Sequence, residues 1–288
     1  MSFHILAGRT PCAPTTPMKD LWLILANIAL PLCAGMTFLA LARYASHIAP
    51  MRFLVTGEIT YKGAAWGFAF FGFYLMSRPL QVLLGPHPMP SIITCIREFG
   101  MMAVFAPAVF LAMMSLCFGS DRIPKKLIVG IFALGLFLGL SYVILETRAI
   151  HGSEIIFRIG SYPAYDGIWF NNPDPHSQAL ISVIYVLQFI DPVFILLLSG
   201  VIVFRHARHY PPQKQWVYDN MPKKLYILSA AVFAFPLAML IAGALIIFLH
   251  VTFQWWLYYL GALISGLLEA ASLSLPLRKD VQVSEHSQ

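Results

Sequence analysis

Polar side chains recur at helical spacing inside runs that are otherwise apolar. Tyr74, Arg78 and Gln81 stand at i, i+4 and i+7, one face of a helix. Ser182, Tyr185, Gln188 and Asp191 follow at intervals of three, again one stripe. Tyr142 and Glu146 are four apart, and Arg97 and Glu98 are adjacent. Tyr258, Ser265, Glu269 and Ser272 share a face with Gly261 and Ala262. Ionisable groups in an apolar medium are costly, so they face the interior of a bundle and mark functional positions. The candidate ligand-contacting set is Tyr74, Arg78, Gln81, Arg97, Glu98, Tyr142, Glu146, Tyr185, Gln188 and Asp191. Arg78 and Arg97 could hold an anion or a carboxylate among tyrosines and phenylalanines. The structural alternative is that Arg78 only pairs with Glu98 or Glu146, and that Asp191 only accepts hydrogen bonds from Tyr or Gln. Buried pairs of that kind do no more than fix register.

These stripes need long helices to position them. A helix crosses the hydrocarbon with about 20 apolar residues. Seven segments qualify: 21–43, 64–84, 98–118, 127–146, 179–204, 225–248 and 254–276. The fold expected is all-α, a polytopic membrane bundle of seven transmembrane helices. Residues 1–20 read as a short outer tail, 21–277 as the membrane domain, and 278–288 as a cytoplasmic tail. The 147–178 connection is aromatic and rich in turn formers, and is expected to fold over the bundle as an outer cap or to stay partly mobile. With the N-terminus outside, thirteen of the 19 Lys and Arg residues fall on the inner side. The positive-inside rule therefore favours N-out, C-in.

Bulk composition agrees. Charged residues make up 11% of the 288-residue chain, against about 25% in a soluble domain. Mean hydropathy is +0.73. The formal charge of +6 is assigned to cytoplasmic loops and lipid headgroups rather than to nucleic acid. The expected location is the cell membrane.

Depth grades the polar groups. At 1.5 Å per residue, Asp191 lies about 18 Å below the outer end of its span, and Arg78 about 9 Å below the outer end of its own. The expectation is one outer-half cavity with a basic mouth and an acidic floor. Pro31, Pro79, Pro107, Pro192 and Pro236 fall in five different spans. Each removes a backbone hydrogen bond and favours a kink. Gly135 and Gly139 in "GLFLG" are expected at a close helix contact.

Other chemistry finds no residues to carry it. No span holds a central lysine for a retinal Schiff base, and no pair of in-span histidines suits a haem. HExxH, GxSxG and P-loop patterns do not occur. Cys33 and Cys117 read as small core residues. Cys12 and Cys95 could pair outside the membrane, though the disulfide is the lesser expectation. No catalytic residue, metal set or cofactor is expected.

The segments "GFAFFGFYLMSRPLQVLL" and "IREFGMMAVFAPAVFLAMMSLCFG", with Phe99-Gly100 and Pro107, carry a resemblance. They resemble the second and third spans of the seven-helix sensor region of certain bacterial and archaeal histidine kinases. "RIPKK" and "RHARHYPPQKQWVYDNMPKK" are similar to that family's basic inner loops, and "GALISGLLEAASLSLPLRKDV" to its last span and exit. The likeness covers most of 20–280 and is one of pattern, so it transfers no ligand residues. It implies a sensory role. A phospho-acceptor helix and an ATP-binding box do not follow the last span, so signalling would pass through a cytoplasmic partner. The expected function is a sensory or receptor-like protein that binds a small or lipophilic ligand. Membrane lipids are the further partner. The alternatives are a small-solute transporter or channel using Asp191, Arg78 and Glu269, and a lipid-modifying enzyme using Asp191, Glu146 or Glu269 as acid or base.

Overall fold

In the computed structural model, residues 17–48, 58–169, 175–211, 220–249 and 255–275 are described. They form seven helical rods and one β-hairpin. The rods are α1 (17–48), α2 (Glu58–Leu83), α3 (Met89–Phe118), α4 (Lys125–Ala149), α5 (Pro175–Arg208), α6 (Met221–Leu249) and α7 (Trp255–Ser274). Apolar runs of this length stay helical because a helix satisfies every backbone polar group within its own segment. Among the described residues, five stretches are long and apolar enough to cross a membrane: Leu21–His47, Met89–Phe118, Lys125–Ala149, Met221–Leu245 and Trp256–Ser274. The chain is therefore mostly helical and has the character of a membrane protein.

Six of the seven rods begin before the expected segments, and α7 falls just inside its own. The largest difference is α3, which begins at Met89 rather than near 98. Arg97 and Glu98, at the start of the expected span 98–118, lie inside the helix and are buried. Other parts of the chain meet them there.

Helices α1, α2, α3, α5, α6 and α7 pack in a closed ring, each against the next, and α7 returns to α1. Helix α4 lies on the flank against α3 and α5. Its buried residues Gly135, Gly139, Tyr142, Glu146 and Ala149 form one stripe. The opposite face presents Val129, Phe137 and Ile144 outward. Both glycines make the close contact expected of them. A Cβ on Gly135 would lie 2.6 Å from the Met102 carbonyl oxygen, and one on Gly139 3.0 Å from the Phe99 ring.

Two of the five in-span prolines leave a visible trace. A proline ring clashes with the carbonyl four residues back, and the turn must widen or bend. Four before Pro31 is Asn27, inside the π-helical stretch Leu25–Ala29. Four before Pro107 is Ala103, inside the π-helical stretch Met101–Phe105. A third π stretch, Tyr44–Ile48, ends α1. Pro79, Pro192 and Pro236 sit within regular helix.

The 147–178 connection contains structure not foreseen. Strands β1 (Ile150–Ile159) and β2 (Tyr162–Trp169) pair antiparallel around Gly160, whose φ is +61°. Phe157 and Ala164 are buried against Val82 of α2, beside Leu23, Ile24 and Ile28 of α1. Burying a phenylalanine contributes about 2 to 3 kcal/mol. The Tyr162 hydroxyl donates to the Leu83 carbonyl at 2.5 Å, and the His87 amide to the Ser153 hydroxyl at 2.9 Å. The hairpin thus packs against the ends of α1 and α2.

The core centres on an aromatic cluster. Phe71 stacks on Phe105 with centroids 4.3 Å apart, and meets Phe38 and Phe235 edge-on at 4.6 and 4.7 Å. Cys117 is buried, as expected of a core residue. Cys33 is exposed on the outer surface of α1 instead, because an apolar run does not say which of its faces meets lipid. Cys95 is a buried free thiol; Cys12 lies outside the described residues.

Candidate functional site

The polar cluster forms where α1, α2, α3, α7 and the hairpin meet. Arg78 is its hub. Its guanidinium makes a fork with Asp166 of β2, Nη2 to Oδ2 at 2.8 Å and Nη1 to Oδ1 at 3.2 Å. Two parallel charge-assisted bonds fix direction as well as distance. Nε and Nη2 also donate to Asn27 Oδ1 at 3.1 and 2.8 Å, and Nη1 to Gln81 Oε1 at 3.0 Å.

Asn27 is held ready by the π turn. Its amide Nδ2 donates to the Leu23 carbonyl at 2.9 Å, which leaves Oδ1 to face Arg78. The wide turn imposed by Pro31 therefore serves the cluster through Asn27. Asp166 is oriented on its own side by the Gly167 amide, which donates to Oδ1 at 3.0 Å.

A second guanidinium lies deeper. Arg97 donates from Nε to the Tyr74 carbonyl at 3.1 Å, from Nη2 to the Tyr259 hydroxyl at 3.4 Å, and from Nη1 to Gln81 Oε1. Its Cζ stands 4.5 Å from the centroid of the Tyr74 ring, a cation–π distance. The Tyr74 hydroxyl donates to Glu98 Oε1 at 2.9 Å.

Gln81 links the two arginines. Its carbonyl oxygen accepts from both, while its amide donates to Thr94 Oγ1 at 2.6 Å and reaches Asp166 Oδ1 at 3.4 Å. Gln81 is buried, so one neutral amide oxygen carries two cations away from bulk water. Such networks rigidify when every member is satisfied and are costly to leave half made.

Five of the ten expected site residues therefore come together: Tyr74, Arg78, Gln81, Arg97 and Glu98. Tyr142 and Glu146 are buried on α4, within electrostatic reach of Glu98 and Cys95. The side chains of Tyr185, Gln188 and Asp191 on α5 lie outside the described residues, and so does the acidic floor expected at Asp191.

One correction follows. Arg78 pairs with Asp166, not with Glu98 or Glu146, because its side chain runs toward the hairpin while Tyr74 takes up Glu98. Around the arginines the described polar groups bond to one another. Asn27, Thr94, Tyr259 and Asp166 complete the site and were not among the expected contacts. A cue existed for Asn27, a lone amide four residues before an in-span proline. Among the described residues no group of three or more His, Cys, Asp or Glu could hold a metal ion.

The α7 stripe also faces inward, with Tyr258, Ser265, Glu269 and Ser272 all buried. At the far end Ser272 Oγ donates to the Lys224 carbonyl at 3.0 Å, and Lys224 Nζ reaches the carbonyls of Leu273 and Leu275 at 3.5 and 3.4 Å.

These features define a class, a helical membrane bundle with a charge-paired cluster beneath a β-hairpin. A scan against family models matches no family, and a search of curated proteins finds no match.

Proposed function

We propose that this protein is a multi-pass sensory protein of the cell membrane. Seven spans run from an outside N-terminus to a cytoplasmic C-terminus, and the Arg78–Asp166 pair is its ligand-responsive latch. The observation that carries the reading is the fork between a helix guanidinium and a hairpin carboxylate. A guanidinium held ready for one carboxylate will accept another. An acidic or amphipathic small molecule that reaches Arg78 from outside competes with Asp166 and frees the hairpin. Loss of the fork also releases Asn27 and Gln81, which connects the event to α1 and α3. The basic inner loops, including Arg122, Lys125, Lys126, Arg205 and Arg208, then present a changed surface to a cytoplasmic partner. The resemblance to kinase sensor regions supports the same direction of signalling.

The test is a binding screen with the reconstituted full chain against a panel of small carboxylates and fatty acids, alongside flux measurements in sealed vesicles. Saturable binding without flux, lost in Arg78→Ala, is expected. Net uptake of a solute by wild-type vesicles would make the protein a transporter instead.

A further inference from the structure

Within the ring of helices lies a small, partly open cavity of about 10 Å³, just large enough for about one water. Phe38, Phe71, Phe105 and Phe235 form much of its wall, and α7 contributes Ser265 and Glu269. Glu269 is 4% exposed, and its Oε2 has no hydrogen-bond partner among the described residues. It is the one ionisable residue lining the cavity.

A buried carboxylate without a counter-charge is expensive. Phenyl rings present negative faces and attract cations. Both features of the wall favour a positive occupant. Hard cations demand six or more oxygen ligands, and this wall offers a carboxylate and one hydroxyl. A weakly hydrated ion is suited instead. The volume limits it to the size of a water molecule.

We propose that this cavity is a binding site for a small monovalent cation of the ammonium class. The Glu269 carboxylate and Ser265 hydroxyl accept its hydrogens, and the phenylalanine wall supplies cation–π contact. The site is independent of Arg78 and of the sensory reading, and it joins α1, α2, α3, α5, α6 and α7 through one occupant.

The experiment is thermal unfolding of the full chain in lipid nanodiscs at constant ionic strength. Sodium chloride is replaced stepwise by ammonium chloride, and in a parallel series by tetramethylammonium chloride. A saturable rise in Tm with ammonium is expected, with none for tetramethylammonium, which is too large. Glu269→Gln keeps the shape and removes the charge, and should weaken the apparent affinity at least about tenfold, the loss of one good polar contact. No saturable ammonium response in the wild type overturns the proposal, as does an undiminished response in Glu269→Gln. Should that variant fail to fold, Ser265→Ala decides: a several-fold weaker ammonium response supports the site, and an unchanged one contradicts it.

Discussion

Arg78 of α2 and Asp166 of β2 are 88 residues apart in the chain, yet they share two hydrogen bonds of 2.8 and 3.2 Å. The side chains are 11% and 30% exposed, so the pair sits at the rim of the protein interior. Removing one partner of a fully buried pair costs about 3 to 5 kcal/mol. Partial exposure of Asp166 lowers that, and Arg78→Ala is expected to destabilise by about 2 to 3 kcal/mol. Arg78→Lys should recover less than half of this, because a point charge cannot make the fork or reach Asn27 at the same time. Thermal unfolding in one detergent, wild type beside both variants, checks the order.

Gln81 is the neutral bridge between two cations. Gln81→Met keeps the length and removes both the acceptor and the donor. It leaves Arg78, Arg97 and Thr94 short of partners, and is expected to cost about 2 kcal/mol or more. An unchanged unfolding temperature in Gln81→Met would show that the bridge contributes nothing.

Two glycines of α4 make an internal control. A Cβ at Gly135 would meet the Met102 carbonyl at 2.6 Å, whereas one at Gly130 meets nothing within 4 Å. Gly135→Ala must push α4 off α3 and is expected to destabilise by about 1 to 3 kcal/mol. Gly130→Ala should be neutral or slightly stabilising, by up to about 1 kcal/mol, since alanine favours helix. Parallel melting curves compare the two.

Phe157 anchors the hairpin. Phe157→Ala is expected to cost about 3 kcal/mol locally. Faster amide exchange should be confined to 150–169, with α6 and α7 unaffected. Exchange that rises equally throughout would mean that the hairpin is part of the global unfolding unit.

The helices were legible because apolar runs of this length leave the backbone few options in lipid. The polar stripe at helical spacing put Tyr74, Arg78 and Gln81 on one face, whereas Arg97 and Glu98, read at the edge of their span, lie inside it. Partner choice was less visible. Helical spacing describes one element at a time, and Asp166 reaches Arg78 only because the hairpin folds back over α2. The hairpin itself had a signal: Ile155, Phe157 and Ile159 alternate before Gly160, and Tyr162 and Trp169 follow it. The wealth of turn formers around it drew attention to loop structure instead. The widened turns at Asn27 and Ala103 follow from Pro31 and Pro107. Sequence reading predicts the disturbance there, but not that Asn27 would turn its side chain to use it.

The central claim is that Arg78 and Asp166 act as one latch on the hairpin. The direct measurement is amide hydrogen exchange across 150–169 in wild type, Arg78→Ala, Asp166→Ala and the double variant. Both single variants are predicted to speed exchange there by similar factors, and the double variant to be no faster than either. Effects that simply add in the double variant would mean that the two residues act separately, and would contradict the latch.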